Sequence, residues 1–160
     1  MTLDQRHTDC ERPCVLIDGI TNAGAIPALE MTVRFTAQRQ RLIAHNLANL
    51  STPDFRPVDV SVQGFQHTLD RAIVARRERT GGAFGQLPWK PTRELQADAR
   101  GELFLAPRTP SDGVLFHDRN NRSVEREMQK LAENAGAHRL ATELLRTRVD
   151  LLRSAIRETA

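Results

Sequence analysis

The chain has 160 residues, 39% hydrophobic and only 4% aromatic, with 27% charged and a formal net charge of +3. That leaves room for one domain with a lean core, because aromatic rings normally supply much of the buried area. No run approaches the roughly 20 consecutive apolar residues of a membrane helix, so a helical membrane protein is excluded.

The N-terminal segment, residues 1–25, reads as a mobile, mixed-charge tail. It lacks the apolar run and small-residue site of a cleaved secretory signal, so none is expected. Its two cysteines, Cys10 and Cys14, form a C-x-x-x-C pair with no second pair to complete a zinc site. They read as incidental thiols, with one local disulfide open to them.

Residues 26–52 read as an assembly helix. Pro27 suits a first-turn position, where its missing donor has no intrahelical partner. Leu29, Val33, Thr36, Gln40, Ile43, Leu47 and Leu50 recur in alternating steps of four and three. That row is thin in its middle, at Thr36 and Gln40. Thr52-Pro53 ends the helix, because the residue before a proline is pushed into extended conformation. The helix, from about Pro27 to Asn49, would be roughly 35 Å long.

Residues 53–110 change character. Phe55, Val58, Val60 and Val62 alternate as in an extended stretch, and Phe65 to Val74 suits a short helix. Gly81, Gly82, Gly85, Pro88 and Pro91 make a loop, in which Trp89 is expected to matter little. Leu103, Phe104 and Leu105 suit one short strand, and Asp112-Gly113 a turn.

Residues 111–160 carry the clearest signal. Val124, Met128, Leu131, Ala135, His138, Thr142, Leu145, Val149, Leu152 and Ile156 repeat every 3.5 residues, as in a coiled-coil seam. A second row of Ala137, Ala141, Leu144, Leu151 and Ala155 widens the apolar face. Asn120, Asn121 and Ser123 offer N-cap side chains, Glu125 and Glu127 suit the first turn, and Arg153 and Arg157 suit the last. A helix from about Ser123 to Arg157 would be roughly 50 Å long. The fold class is therefore mainly α: two long terminal helices in a coiled-coil-like hairpin around a small, irregular, partly β centre.

Little in the chain suggests chemistry. His7, His45, His67, His117 and His138 form no H-E-x-x-H or His/Cys/Asp cluster, and no nucleophile elbow, P-loop or G-x-G-x-x-G is present. No enzyme, metal or cofactor is expected. The basic excess sits around Arg71, Arg76, Arg77 and Arg79, diluted by Asp70 and Glu78, and reads as a solvated helix end rather than a nucleic-acid face. What remains is a broad apolar face on the last helix that the shorter first helix covers only in part. Such a chain assembles with others.

The stretch Ala44-His45-Asn46-Leu47-Ala48-Asn49-Leu50-Ser51-Thr52-Pro53-Asp54-Phe55-Arg56 resembles the N-terminal signature of the bacterial flagellar rod and hook protein family. Asn46, Leu47, Ala48, Asn49, Thr52 and Pro53 match that pattern, and Ala37-Gln38-Arg39 resembles the segment upstream. Asp54 stands where the family has glycine, the residue suited to a turn with positive φ. Ser123-Val124-Glu125, Glu127-Met128, Ala132-Glu133-Asn134 and Leu152-Arg153-Ser154-Ala155-Ile156 resemble the wording of the proximal rod members. The resemblance covers roughly residues 29–75 and 110–157.

The resemblance implies a structural subunit of the rod that crosses the periplasm. Export would run through the flagellar type III apparatus without cleavage. The implied partners are other rod proteins, further copies of the chain, and membrane-ring and export-gate proteins at the rod base. Nucleic acid and direct membrane insertion are not among them. The expected assembly interface comprises Leu29, Val33, Ile43, Asn46, Leu47, Asn49, Thr52 and Pro53 at one end. Val124, Met128, Leu131, Leu145, Val149, Leu152 and Ile156 complete it at the other. The rival reading is a helical adaptor that binds one partner helix in a small closed complex.

Overall fold

A computed structural model describes residues 22–98, 101–108 and 124–158. The cysteines, the capping residues Asn120, Asn121 and Ser123, and the Asp112-Gly113 turn lie outside the described residues. Chain order is α1 (Ile26–Ala48), α2 (Val62–Thr80), β1 (Leu95–Ala97), β2 (Leu103–Leu105) and α3 (Val124–Glu158). At 23 and 35 residues the terminal helices match the expected spans to within a residue or two.

α1 ends as its sequence dictates. Asn49 caps it, donating its backbone N–H to the carbonyls of His45 and Asn46 and its side-chain amide to His45 O at 2.8 Å. A tight reversal follows, with Thr52 N–H bonding Asn49 O at 2.9 Å. Asp54 takes a φ of 58°, the one non-glycine residue with positive φ among the described residues. The chain then runs back alongside α1, where Asp59 forms an antiparallel bridge with Arg108.

α2 is nearly twice the length expected. The extended stretch stops at Ser61, whose hydroxyl accepts the N–H of Gly64 at 3.0 Å and starts the helix three residues before Phe65. Gly81, left-handed at φ 66°, closes it, and Arg77 and Arg79 occupy the last turn. β2 falls where expected. Its antiparallel partner β1, with Leu95 opposite Leu105, carries no signal of its own in the sequence, because Leu-Gln-Ala holds one large apolar residue and neither a β-branched nor an aromatic one.

α1 is the central element and has two working faces. One packs along α3. The other carries Met31 and Phe35 into the hydrophobic core, with Val60, Phe65, Leu95, Leu103 and Leu105. The rings of Phe35 and Phe65 stack with centroids 3.9 Å apart. Leu42, Leu69, Leu87 and Trp89 pack partly buried around this core. Trp89 is thus attached to the core rather than held in an independent loop.

Gln38 binds the centre of the molecule to α1. Its amide nitrogen donates to Leu103 O at 2.6 Å and its oxygen accepts from Leu105 N at 3.1 Å. One side chain therefore pairs the free edge of β2 as a neighbouring strand would. Arg76, buried on α2, donates to Gly24 O at 2.6 Å, Asn22 O at 2.5 Å and Phe84 O at 3.4 Å. It holds the entry to α1 against the far end of α2.

Candidate assembly site on the terminal helices

The contact between α1 and α3 is built around polar side chains. Asn46, 1% exposed, donates to Val58 O at 2.7 Å and accepts from Val58 N at 3.1 Å. Its amide also lies 3.4 Å from Glu127 Oε2 on α3. One residue thus joins the end of α1, the returning strand and the start of α3.

A chain of charges runs beside it. Arg39 grips Asp59 with two parallel bonds of 3.0 Å, the bidentate geometry of a guanidinium on a carboxylate. Lys130 reaches Asp59 at 3.3 Å and Glu127 at 2.9 Å. Burial pushes the Asp59 carboxyl upward. The hydrogen bonds and charge of Arg39, the Val60 N–H and the Lys130 charge outweigh it and hold the group below its ordinary value.

Two turns further along lies a second polar layer. Asn134, 3% exposed, donates to Thr36 O at 2.9 Å and to Gln40 Oε1 at 2.7 Å. Thr36 Oγ1 and His138 Nδ1 are 2.9 Å apart. Buried polar groups that find partners in one alignment alone fix the register of a helix pair. Asn46 opposite Glu127 and Thr36 opposite His138 define that register, and the same stagger sets Ile26 opposite Arg148. The last turns of α3 therefore run past the start of α1.

The expected interface residues divide along this geometry. Ile43 is buried, and Leu29, Val33, Leu47, Leu131, Leu145, Val149 and Leu152 are half-buried. Asn46 and Asn49 hold backbone as described, while Thr52 and Pro53 are exposed at the reversal. Val124 and Met128, at 43% and 46% exposure, and Ile156 at 58% stand outside the intramolecular contact. The buried α3 positions are Glu127, Asn134 and Ala141, a row beside the expected one. The physical reason is that Glu127 and Asn134 have partners on α1, which draws their side of α3 inward. Arg39, Asp59, Glu127 and Asn134 are interface residues that the apolar periodicity does not single out. For Glu127 and Asn134 the signal is a carboxylate and an amide seven residues apart, in heptad step with Ala141; Arg39 and Asp59 carry none of their own.

On the flank of α3, Leu140, Leu144 and Leu151 are exposed at 63%, 47% and 57%. Spaced by four and seven residues, they form one apolar stripe beside the α1 contact. Among the described residues no helix is long and apolar enough to cross a membrane. No group of three or more His, Cys, Asp or Glu residues there could hold a metal.

Fold and site together define a protein built on a long helical hairpin, its register set by polar layers and with a row of exposed leucines on the flank of α3. No family model matches the chain. The flagellar basal body rod protein FlgB of Salmonella typhimurium is 30% identical over 109 residues, which is 68% of this chain and 75% of that protein. The chain belongs to the FlgB family of flagellar basal-body rod proteins.

Proposed function

We propose that this chain is a structural subunit of the flagellar basal-body rod and serves motility without performing chemistry. Its terminal helices pack with those of further copies and of other rod proteins into the wall of a hollow axial structure. The observation that carries this reading is the Leu140–Leu144–Leu151 stripe on a helix that is already register-locked to α1. Large apolar side chains exposed along one flank of a helix supply surface for an interaction site. The similarity to a basal-body rod protein names the assembly, and an open helical assembly uses such a stripe head-to-tail on every copy. Export through the flagellar type III apparatus, and contacts with membrane-ring and export-gate proteins at the rod base, belong to the same reading.

The stripe lies off the intramolecular contact, so folding and assembly can be separated. Leu140→Glu with Leu144→Glu, both exposed on the flank of α3, is expected to leave the melting temperature unchanged and abolish motility and rod formation in complemented cells. Full motility with both substitutions overturns the proposal. A stoichiometric closed complex with one partner, measured by light scattering, would favour the adaptor instead.

A further inference from the structure

The exposed flank of α3 carries its own complement. At 3.6 residues per turn, Glu133, Ala137, Leu140, Leu144 and Arg148 fall within about 80° of arc, roughly a quarter-turn round from the buried row Glu127, Asn134 and Ala141. All five are exposed. The order along the row is a carboxylate, a small residue, two leucines and a guanidinium. About 22 Å separates the two charges at 1.5 Å per residue. Glu133 also accepts the amide of Gln129 at 2.8 Å along the same helix, and keeps its charge.

Charge decides how such a row meets a second copy of itself. Laid parallel and in register, it sets Glu133 against Glu133 and Arg148 against Arg148, and both contacts repel. Turned end for end about a two-fold axis near residues 140 and 141, it sets each Glu133 against Arg148 of the other copy. The same turn places Ala137 opposite Leu144, small against large, with Leu140 of each copy between them. Opposite charges flanking an apolar helix contact fix partner orientation in this way.

We propose that two free subunits pair antiparallel through this flank of α3, covering Leu140 and Leu144 and joining Glu133 to Arg148 twice. A contact along one helix flank lies at the low end of specific interfaces, below about 1,200 Å², so the pair is weak and reversible. A two-fold contact closes on itself and cannot propagate. Pairing therefore withholds the leucines from an open assembly until a growing end competes for them. The dimer concerns the isolated subunit; its part as a brake on assembly rests on the rod reading.

The test is sedimentation equilibrium of the full chain with Cys10→Ser and Cys14→Ser, which removes disulfide-linked dimers. The parent should show a reversible monomer–dimer equilibrium between about 1 and 200 μM, the range of a weak interface. Glu133→Arg alone or Arg148→Glu alone turns both ion pairs into like-charge contacts and should weaken the dimer about tenfold or more. An equimolar mixture of the two variants restores both pairs and should associate as the parent does, with the helical circular dichroism unchanged throughout. A parent that stays monomeric overturns the proposal, as does association that continues past the dimer. Single variants that associate as the parent does would exclude the antiparallel pairing. Each of these results leaves the rod reading to the motility of the Leu140→Glu, Leu144→Glu variant, so the two fail separately.

Discussion

Replacing Asn46 by Ala tests whether one side chain ties three elements together. The substitution removes the 2.7 Å and 3.1 Å bonds to Val58 and the 3.4 Å contact to Glu127. It leaves the Val58 N–H and C=O partnerless beside the core residue Val60. Two net hydrogen bonds at about 1 kcal/mol each, plus the desolvation of the stranded groups, give a loss of about 3 kcal/mol. For a chain of this size that is a fall in melting temperature of about 6–12 °C.

Asn46→Asp sharpens the test, since it keeps the shape and the acceptor but loses the donor. It also sets a second carboxylate about 3.4 Å from Glu127, a repulsion of a few kcal/mol at an effective dielectric of ~20, offset in part by Lys130. Asn46→Asp is therefore expected to match or exceed the Ala loss at pH 7. It should then regain stability relative to the parent as the pH falls toward 5 and one carboxyl takes a proton. Urea denaturation followed by circular dichroism measures both variants. A loss below about 1 kcal/mol for Asn46→Ala, the range of an ordinary surface position, would refute the clasp.

Asp54→Gly relieves the left-handed φ of 58° and should raise stability by about 0.5–1 kcal/mol in the same denaturation assay; a lowered midpoint would show that the Asp54 side chain itself holds the turn. Asp59 is held below its ordinary value, so its contribution is full above the usual carboxylate range and is lost as pH falls through that range and below it. Asp59→Asn should therefore lower stability at pH 7 and flatten the acid limb of the stability–pH curve, and a limb of unchanged slope would refute the assignment. Arg76→Lys keeps the charge but loses the guanidinium fork that reaches three carbonyls, and should lower stability by about 2 kcal/mol and speed amide exchange at Gly24. Exchange at Gly24 identical to the parent would show that the anchor lies elsewhere.

The terminal helices are legible in the sequence itself. A 3.5-residue apolar repeat, Pro27 in a first turn and Thr52-Pro53 as a stop are local signals, and each acts within a few residues of itself. The same holds for β2 and for the stop at the end of α1. The cap at Ser61 is equally local, but the alternating valines around it suggest extended backbone as far as residue 63 and mask it.

The partners of α1 are not legible in this way. Met31 and Phe35 read as ordinary positions of an assembly helix, yet they supply the core beneath the hairpin. Asn46 is singled out by its signature but without its partner, and Gln38 carries no signal beyond its place in the upstream segment, yet each pairs with the backbone of a segment beyond the helix. Periodicity states that a helix has an apolar side, and by itself it determined the lengths, ends and sticky faces of the two outer helices. Which row of α3 turns inward was decided only in three dimensions. Burying Glu127 and Asn134 is tolerable only where Asn46, Lys130, Thr36 and Gln40 complete their hydrogen bonds, and for all but Lys130 that condition depends on residues some eighty to a hundred positions away.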